Sequence, residues 1–171
     1  MNIFKAFFDK RILCLIGLLF IVTLNVFAQD QKFADSLAKI YHEGKLPDTA
    51  KLEILRQLSF NEVSDLNLSL TYAEELIRLA TKEGSDKYLF HGYFQKGNKE
   101  RILGNYPEAL DAYLKSADVA EKTNVSERIG RAFGAIADVY AKTGNSSNSM
   151  LYYSKAIITL RNSPDSLSLA A

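Results

Sequence analysis

The sequence predicts an all-α chain built as a stack of antiparallel helix pairs, and three observations predict it. First, the phrase Gly104-Asn105-Tyr106-Pro107-Glu108-Ala109-Leu110-Asp111-Ala112-Tyr113-Leu114-Lys115-Ser116 returns about forty residues later, with Gly144-Asn145, Met150, Tyr153, Lys155 and Ala156 at the matching places. Second, the helix breakers keep the same register: Gly84, Asn124 and Pro164 fall at one phase of forty, Gly104 and Gly144 at another. Third, no strand-like alternation competes with helical spacing after Ala28. A fixed period in this range is the signature of a repeat architecture. With 171 residues the chain is long enough for one ordinary domain or for a short repeat array.

The first stretch stands apart. Lys5, Lys10 and Arg11 precede an apolar run from Ile12 to Ala28, and Val26-Phe27-Ala28 places small residues before Gln29. That order of charge, apolar core and small residues is that of a secretory signal peptide. The run, interrupted by Thr23 and Asn25, is about 17 residues long, at the lower edge of what spans a bilayer, so an uncleaved anchor is the alternative. Either way the remainder is expected to be exported, to the periplasm or the extracytoplasmic face of the inner membrane. The single cysteine, Cys14, lies in this run, leaving no thiol for a disulfide or thiolate chemistry after cleavage. Ile12-Leu13 ahead of Cys14 do not suit a lipidation site. The formal charge of +1 includes a net +2 from Lys5, Asp9, Lys10 and Arg11, so the rest carries −1 and has no basic excess to bind nucleic acid.

After the signal, Phe33, Leu37, Ile40 and Tyr41 recur at helical steps until Gly44 and Pro47 end the element. Asp48 or Thr49 is placed to cap a second helix carrying Leu52, Leu55 and Leu58. A break over Ser64 to Asn67 precedes a third, with Leu68, Tyr72, Ala73, Leu76, Ile77 and Ala80 on one face, closed by Gly84. The fourth runs from about Asp86 to Leu103 with Tyr88, Leu89, Phe94, Ile102 and Leu103 as its apolar face. Gly97 in its middle implies the close approach of another helix, since glycine there otherwise costs about 1 kcal/mol against alanine. Asn105 with Glu108 reads as a capping box, and Pro107 sits in the first turn, where its missing N–H is harmless. The fifth helix then buries Ala109, Leu110, Tyr113, Leu114 and Ala117 and ends near Thr123. Asn124 with Glu127 repeats the capping box before a sixth helix with Ile129, Phe133, Ile136, Ala137, Val139 and Tyr140 inward. The seventh is expected to bury Met150, Tyr153, Ala156, Ile157 and Leu160, and Ser163-Pro164 opens a further helix with Leu167 and Leu169.

A glycine closing one helix, followed by Asn-Tyr-x-x-Ala-Leu-x-x-Tyr-x-Lys, resembles the second half of a tetratricopeptide repeat (TPR). The resemblance covers nearly all of Thr49 to Ala171. Tyr93, Gly97, Ala109, Tyr113 and Ser116 fall at characteristic large and small positions of one repeat, while Lys96 and Glu100 stand where large apolar residues are usual. The resemblance implies a right-handed α-solenoid whose helices are about three residues longer than in the 34-residue form. With the signal peptide at 1–28 and an N-terminal helix and connector at 29–48, the resemblance places repeats over 49–171, with units at about 49–84, 85–124 and 125–163 and the start of another at 164–171. Asp35-Ser36-Leu37 and Pro47-Asp48-Thr49-Ala50-Lys51 ahead of the helix pairs also resemble exported repeat regions of Bacteroidetes-type sensor proteins. That likeness implies the N-terminal sensory or scaffolding part of a longer signalling protein.

Within the TPR pattern, the first helix of each repeat lines a concave groove that holds a protein or peptide. Its groove positions fall on His91, Phe94, Asn98, Arg101 and Ile102 in one repeat and on Arg131, Gly134, Asp138 and Lys142 in the next. Asn98, Arg101, Arg131 and Lys142 are suited to a carboxylate or a peptide backbone through charge-assisted hydrogen bonds. No catalytic, metal or cofactor constellation is expected. His42 and His91 sit in different helices with no partner at ligand spacing, Glu74-Glu75 suits a solvated face, and Gly130 and Gly134 lie inside a helix with no preceding strand. The sequence leaves two alternatives open: the front part of an enzyme, a histidine kinase or nucleotide cyclase, whose catalytic domain lies elsewhere, and a spacer without a ligand. Membrane contact is expected only through the signal peptide or a further segment. The oligomeric state is not readable.

Overall fold

The computed structural model describes residues 31–161. The signal-peptide reading, Cys14 and the helix expected after Ser163-Pro164 lie outside them. Seven helices occupy the described residues, with no strand among them: α1 over residues 31–42, α2 Asp48–Asn61, α3 Leu66–Lys82, α4 Asp86–Leu103, α5 Tyr106–Thr123, α6 Ser126–Lys142 and α7 Ser146–Arg161. Each helix from α2 on packs against the next in the chain. The helices that open each pair, α2, α4 and α6, also touch one another, whereas α3, α5 and α7 do not. Closer spacing on one side bends the stack, so α2, α4 and α6 line its inner face. The result is an all-α solenoid of helix pairs.

Two clusters of buried side chains run through it. One gathers Ala34, Leu52, Leu55, Leu58, Tyr72, Leu76, Leu79 and Ala80 from α1 to α3. The other gathers Phe90, Ala109, Tyr113, Ala117, Ile129, Phe133, Ile136 and Val139 from α4 to α6. Small residues set the helix separations. A Cβ on Gly97 would lie 2.6 Å from the Tyr113 ring, and one on Gly92 would lie 2.7 Å from the Ile77 side chain. These are the close approaches that let α4 sit in the groove between α3 and α5.

The turns repeat in conformation as well as in spacing. Gly44, Gly84, Gly104, Asn124 and Gly144 all adopt positive φ, between 52° and 85°. After Gly84, Gly104, Asn124 and Gly144 the next N–H returns to the carbonyl five residues back, as in Ser85 to Ala80 and Asn145 to Tyr140. Such a left-handed closure satisfies carbonyls that the helix end leaves open. Gly44 belongs to the same phase as Gly84 and Asn124, a third member of the series.

The α2–α3 turn is built differently. Glu62 is buried, and its carboxylate accepts from Gln31 Nε2, from the Ser64 and Asp65 backbone N–H groups and from Ser64 Oγ. Burial pushes this carboxyl up, but those donors outweigh it and hold its pKa below the ordinary value. The buried Lys99 on α4 donates to the Glu62 carbonyl at 3.3 Å. Asp65 then caps α3, accepting from the N–H groups of Asn67 and Leu68.

Several local expectations are corrected. Neither Asp48 nor Thr49 caps α2; Pro47 holds that position without a side-chain bond. Asn105 makes no capping bond to α5 either, because its amide donates instead to the buried Glu100 at 2.8 Å. Asn124 ends α5 in the left-handed conformation, and Val125 precedes α6. On α1 the buried face is Ala34 with Leu37, Ala38 and Tyr41, while Phe33 and Ile40 are exposed. On α4 the most buried aromatic is Phe90, and Ile102 and Leu103 are exposed. On α7 only Ser149 and Ala156 are buried; Met150 and Ile157 are 71% and 65% exposed, and Tyr153 and Leu160 are also open. No helix among the described residues covers the outer side of α7, so the apolar residues there lack the packing that α6 gives to α5.

Candidate partner groove

The inner face carries the side chains that the sequence pointed to, and the structure sorts them into two groups. Asn98, Arg101 and Asp138 are engaged within the protein. Asn98 Oδ1 accepts from the Tyr113 hydroxyl at 2.7 Å, and its amide donates to Gln95 at 3.1 Å. The Arg101 guanidinium lies against the same Tyr113 hydroxyl; burial raises the tyrosine pKa and this cation opposes the rise. Asp138 accepts a short hydrogen bond from the Tyr153 hydroxyl of α7. These three groups fix first-type helices to the helices behind them.

His91, Phe94 and Arg131 come together, whereas Ile102 and Lys142 remain exposed near the C-terminal ends of their helices. Phe90 and Phe94 stack along α4 with ring centroids 5.6 Å apart, and Phe94 meets the Tyr113 ring at 5.5 Å. From α6, Arg128 lies 5.6 Å over Phe90 and Arg131 lies 5.0 Å over Phe94. A cation over an aromatic face is attracted by the ring quadrupole, and the stack restricts the guanidinium. Arg131 also has Glu127 at 3.6 Å. Arg128 has no carboxylate partner among the described residues.

His91 packs edge-on to Phe90 at 5.3 Å. Burial, then the charges of Arg56, Arg128, Arg131 and Lys87, push its pKa down to about 4, so it is neutral near pH 7. On α2, Arg56 is held by Glu53 through both carboxylate oxygens. The Arg56 hydrogen bonds, helped by the Tyr88 hydroxyl at 3.0 Å and opposed by burial, hold the Glu53 carboxyl down at about 2. Charges carried by α2, α4 and α6 thus act together on His91. Sequence reasoning missed Arg56 and Arg128, which lie off the family's groove positions. The signal that finds Arg128 is its spacing, three residues before Arg131 and thus on the same helical face.

Gly134 lies one turn beyond Arg131, and a Cβ there would meet nothing within 4 Å. A Cβ on Gly130, one turn back along α6, would instead lie 2.5 Å from the Leu160 side chain. The space at Gly134 is open, one turn along α6 from the Arg131 side chain that lies over Phe94. Among the described residues no three His, Cys, Asp or Glu side chains gather as a metal site, and no helix is long and apolar enough to cross a membrane.

No protein-family model and no curated protein matches the sequence. Solved structures do match the fold. The TPR domain of Arabidopsis FLU superposes with a TM-score of 0.63 at 19% identity, covering 68% of this chain and 100% of that domain. A Signal Transduction ATPase with Numerous Domains (STAND) protein with a tetratricopeptide repeat sensor, from Pyrococcus horikoshii, superposes with a TM-score of 0.66 at 22% identity over 84% of this chain. The match spans 22% of that larger protein. Paired helices, left-handed closures in register, and likeness to two TPR structures make this the tetratricopeptide-repeat fold.

Proposed function

We propose that the chain is an exported protein-interaction module that holds a peptide or protein segment in the groove lined by α2, α4 and α6, as the N-terminal sensory or scaffolding region of a longer signalling protein. Export rests on the order of charge, apolar run and small residues before Gln29. The sensory role draws on the STAND protein, whose repeats are described as a sensor.

The observation that carries the binding reading is the open space at Gly134, one turn along α6 from the Arg131 side chain that lies over Phe94 of α4. An extended segment needs room for its backbone and polar groups within reach, and this stretch of α6 offers both. Selection of random dodecapeptides on the full chain tests it, with Gly134→Leu as the discriminating variant. A Cβ at position 134 meets no atom within 4 Å, so the leucine projects into open space, and selected peptides should lose binding while the far-ultraviolet circular dichroism and melting temperature hold. Peptides that bind Gly134→Leu unchanged would place the site elsewhere.

A spacer without a ligand is favoured by one observation, the internal engagement of Asn98 and Asp138. It predicts that no peptide is enriched over an unrelated helical control.

A further inference from the structure

Lys96 stands where the repeat pattern has a large apolar residue, and the next unit of the same chain shows what that exchange opens. Forty residues on, the matching position is Ile136, which is fully buried, while Tyr93 and Ala112 correspond to Phe133 and Tyr152, whose rings meet at 5.7 Å. There apolar side chains fill the space over α6. In the earlier unit Ala112 takes the place of Tyr152, and a cleft of about 150 Å³ opens over α4. It is walled by Glu74 and Ile77 of α3 and by Asp111, Ala112 and Lys115 of α5, with Tyr93 and Lys96 of α4 between them. Since α3 and α5 are outer helices, the cleft lies on the opposite side of the stack from the groove. Its charged side chains form two pairs of opposite sign: Lys96 Nζ reaches Glu74 across the helices at 2.6 Å, and Lys115 Nζ reaches Asp111 at 2.7 Å. All four are partly exposed, and ion pairs of that kind contribute little, so a ligand opens them easily.

We propose that this cleft binds a small zwitterion, a free α-amino acid with a short aliphatic side chain. The ligand carboxylate takes the place of a protein carboxylate at Lys96 or Lys115, the ligand ammonium takes up the Glu74 or Asp111 so released, and the aliphatic part lies against Ile77, Ala112 and the Tyr93 ring. Both ligand charges then meet a partner and no protein charge is left over, whereas a lone anion or a lone cation strands one. Drug-sized ligands need roughly 300 Å³ or more, so the smaller volume here restricts the ligand to a few heavy atoms. Beyond Lys96 and Asp111, Glu100 and Glu108 border a more open depression, where the Asn105 amide already engages Glu100. Those acids favour a bare cation, which is the rival ligand.

The test follows amide chemical shifts of the isotope-labelled full chain by NMR during titration with L-valine, with isovalerate, which lacks the ammonium, and with isobutylamine, which lacks the carboxylate. Valine should give saturable shifts at the cleft residues of α3, α4 and α5, and each half-ligand should bind at least about tenfold more weakly. Lys96→Ile/Ala112→Tyr, which installs the filling found in the next unit, should abolish the shifts. The partly exposed charges give a second readout that does not depend on how that repacked variant folds. Lys96→Gln/Lys115→Gln should weaken valine by about tenfold or more while strengthening isobutylamine, and Glu74→Gln/Asp111→Asn should weaken valine while strengthening isovalerate. Gly134→Leu on the inner face should leave valine binding unchanged. Isobutylamine binding as tightly as valine overturns the zwitterion in favour of a cation, and valine shifts lost in Gly134→Leu overturn the placement. The absence of any saturable shift with valine overturns the proposal altogether. None of these outcomes bears on peptide binding in the groove, which the library selection reads separately.

Discussion

Gly97 and Gly134 are both mid-helix glycines on first-type helices, and their surroundings give opposite consequences for the same substitution. Gly97→Ala drives a methyl into the Tyr113 ring at 2.6 Å and should cost about 2 kcal/mol in a denaturant titration. Gly134→Ala meets nothing and should gain about 0.5–1 kcal/mol from helix propensity alone. The sequence made the close approach at Gly97 readable because glycine within a helical run otherwise weakens it; that the open glycine was Gly134 and the packed one Gly130 depended on where Leu160 lay. The half-buried His91 ties stability to pH. Its folded pKa of about 4 lies below the ordinary 6.5, so below pH 6.5 the unfolded chain takes up the proton first. Stability supplied by the neutral imidazole is thus complete above pH 6.5 and falls as pH drops toward 4. His91→Gln should flatten that limb by about 2 kcal/mol, after discounting for solvent screening, in urea titrations at pH 7 and 4.5.

The α2–α3 turn is an element that depends on one buried side chain. Where the other interhelical turns close on a glycine or asparagine in the left-handed conformation, this one closes on Glu62, which takes up donors from Gln31, Ser64 and Asp65. Glu62→Ala strands those donors and should cost about 2–3 kcal/mol, with a concentrated loss of hydrogen-exchange protection in α2 and the start of α3. Equal loss along the whole array would count against a local role. The sequence showed that a break lay between Ser64 and Asn67 but not what held it, because a glutamate gives no sign of inward orientation until Lys99, 37 residues on, is seen beside it. The two capping boxes were misread for a related reason. Asn-x-x-Glu is a local pattern, but Asn105 answers to the buried Glu100 on the preceding helix, and Asn124 to the left-handed backbone that its own place in the register requires.

Across the whole molecule, each helix depends mainly on its chain neighbours, so stability should be graded along the array and not uniform. Hydrogen exchange should be slowest in α4 and α5, flanked on both sides, and fastest in α7, whose outer face is bare; equal protection of α5 and α7 would contradict a graded array. The period made the fold legible, since turn residues and core residues obeyed one register and a chance likeness would have matched only one of them. It misled at α7 for the same reason: Met150 and Ile157 stand forty residues after Leu110 and Ala117, but the helix that covers the earlier pair has no counterpart among the described residues. The groove was half legible. Its location followed from the pattern of large and small positions, whereas the engagement of Asn98 with Tyr113 and of Arg128 with Phe90 depended on side chains from other helices.

The residues at 44, 84 and 124 all take positive φ at a spacing of forty, and Gly84 and Asn124 share the same closing bond as well. An in-frame genetic exchange between the turns at Gly84 and Asn124 inserts or removes one whole helix pair and rejoins the chain at a turn with the same closing bond. Growth or shrinkage of such an array therefore needs no newly evolved loop, only a repacking of the two helix faces that meet at the new joint. The length of the inner surface can thus change in steps of one unit.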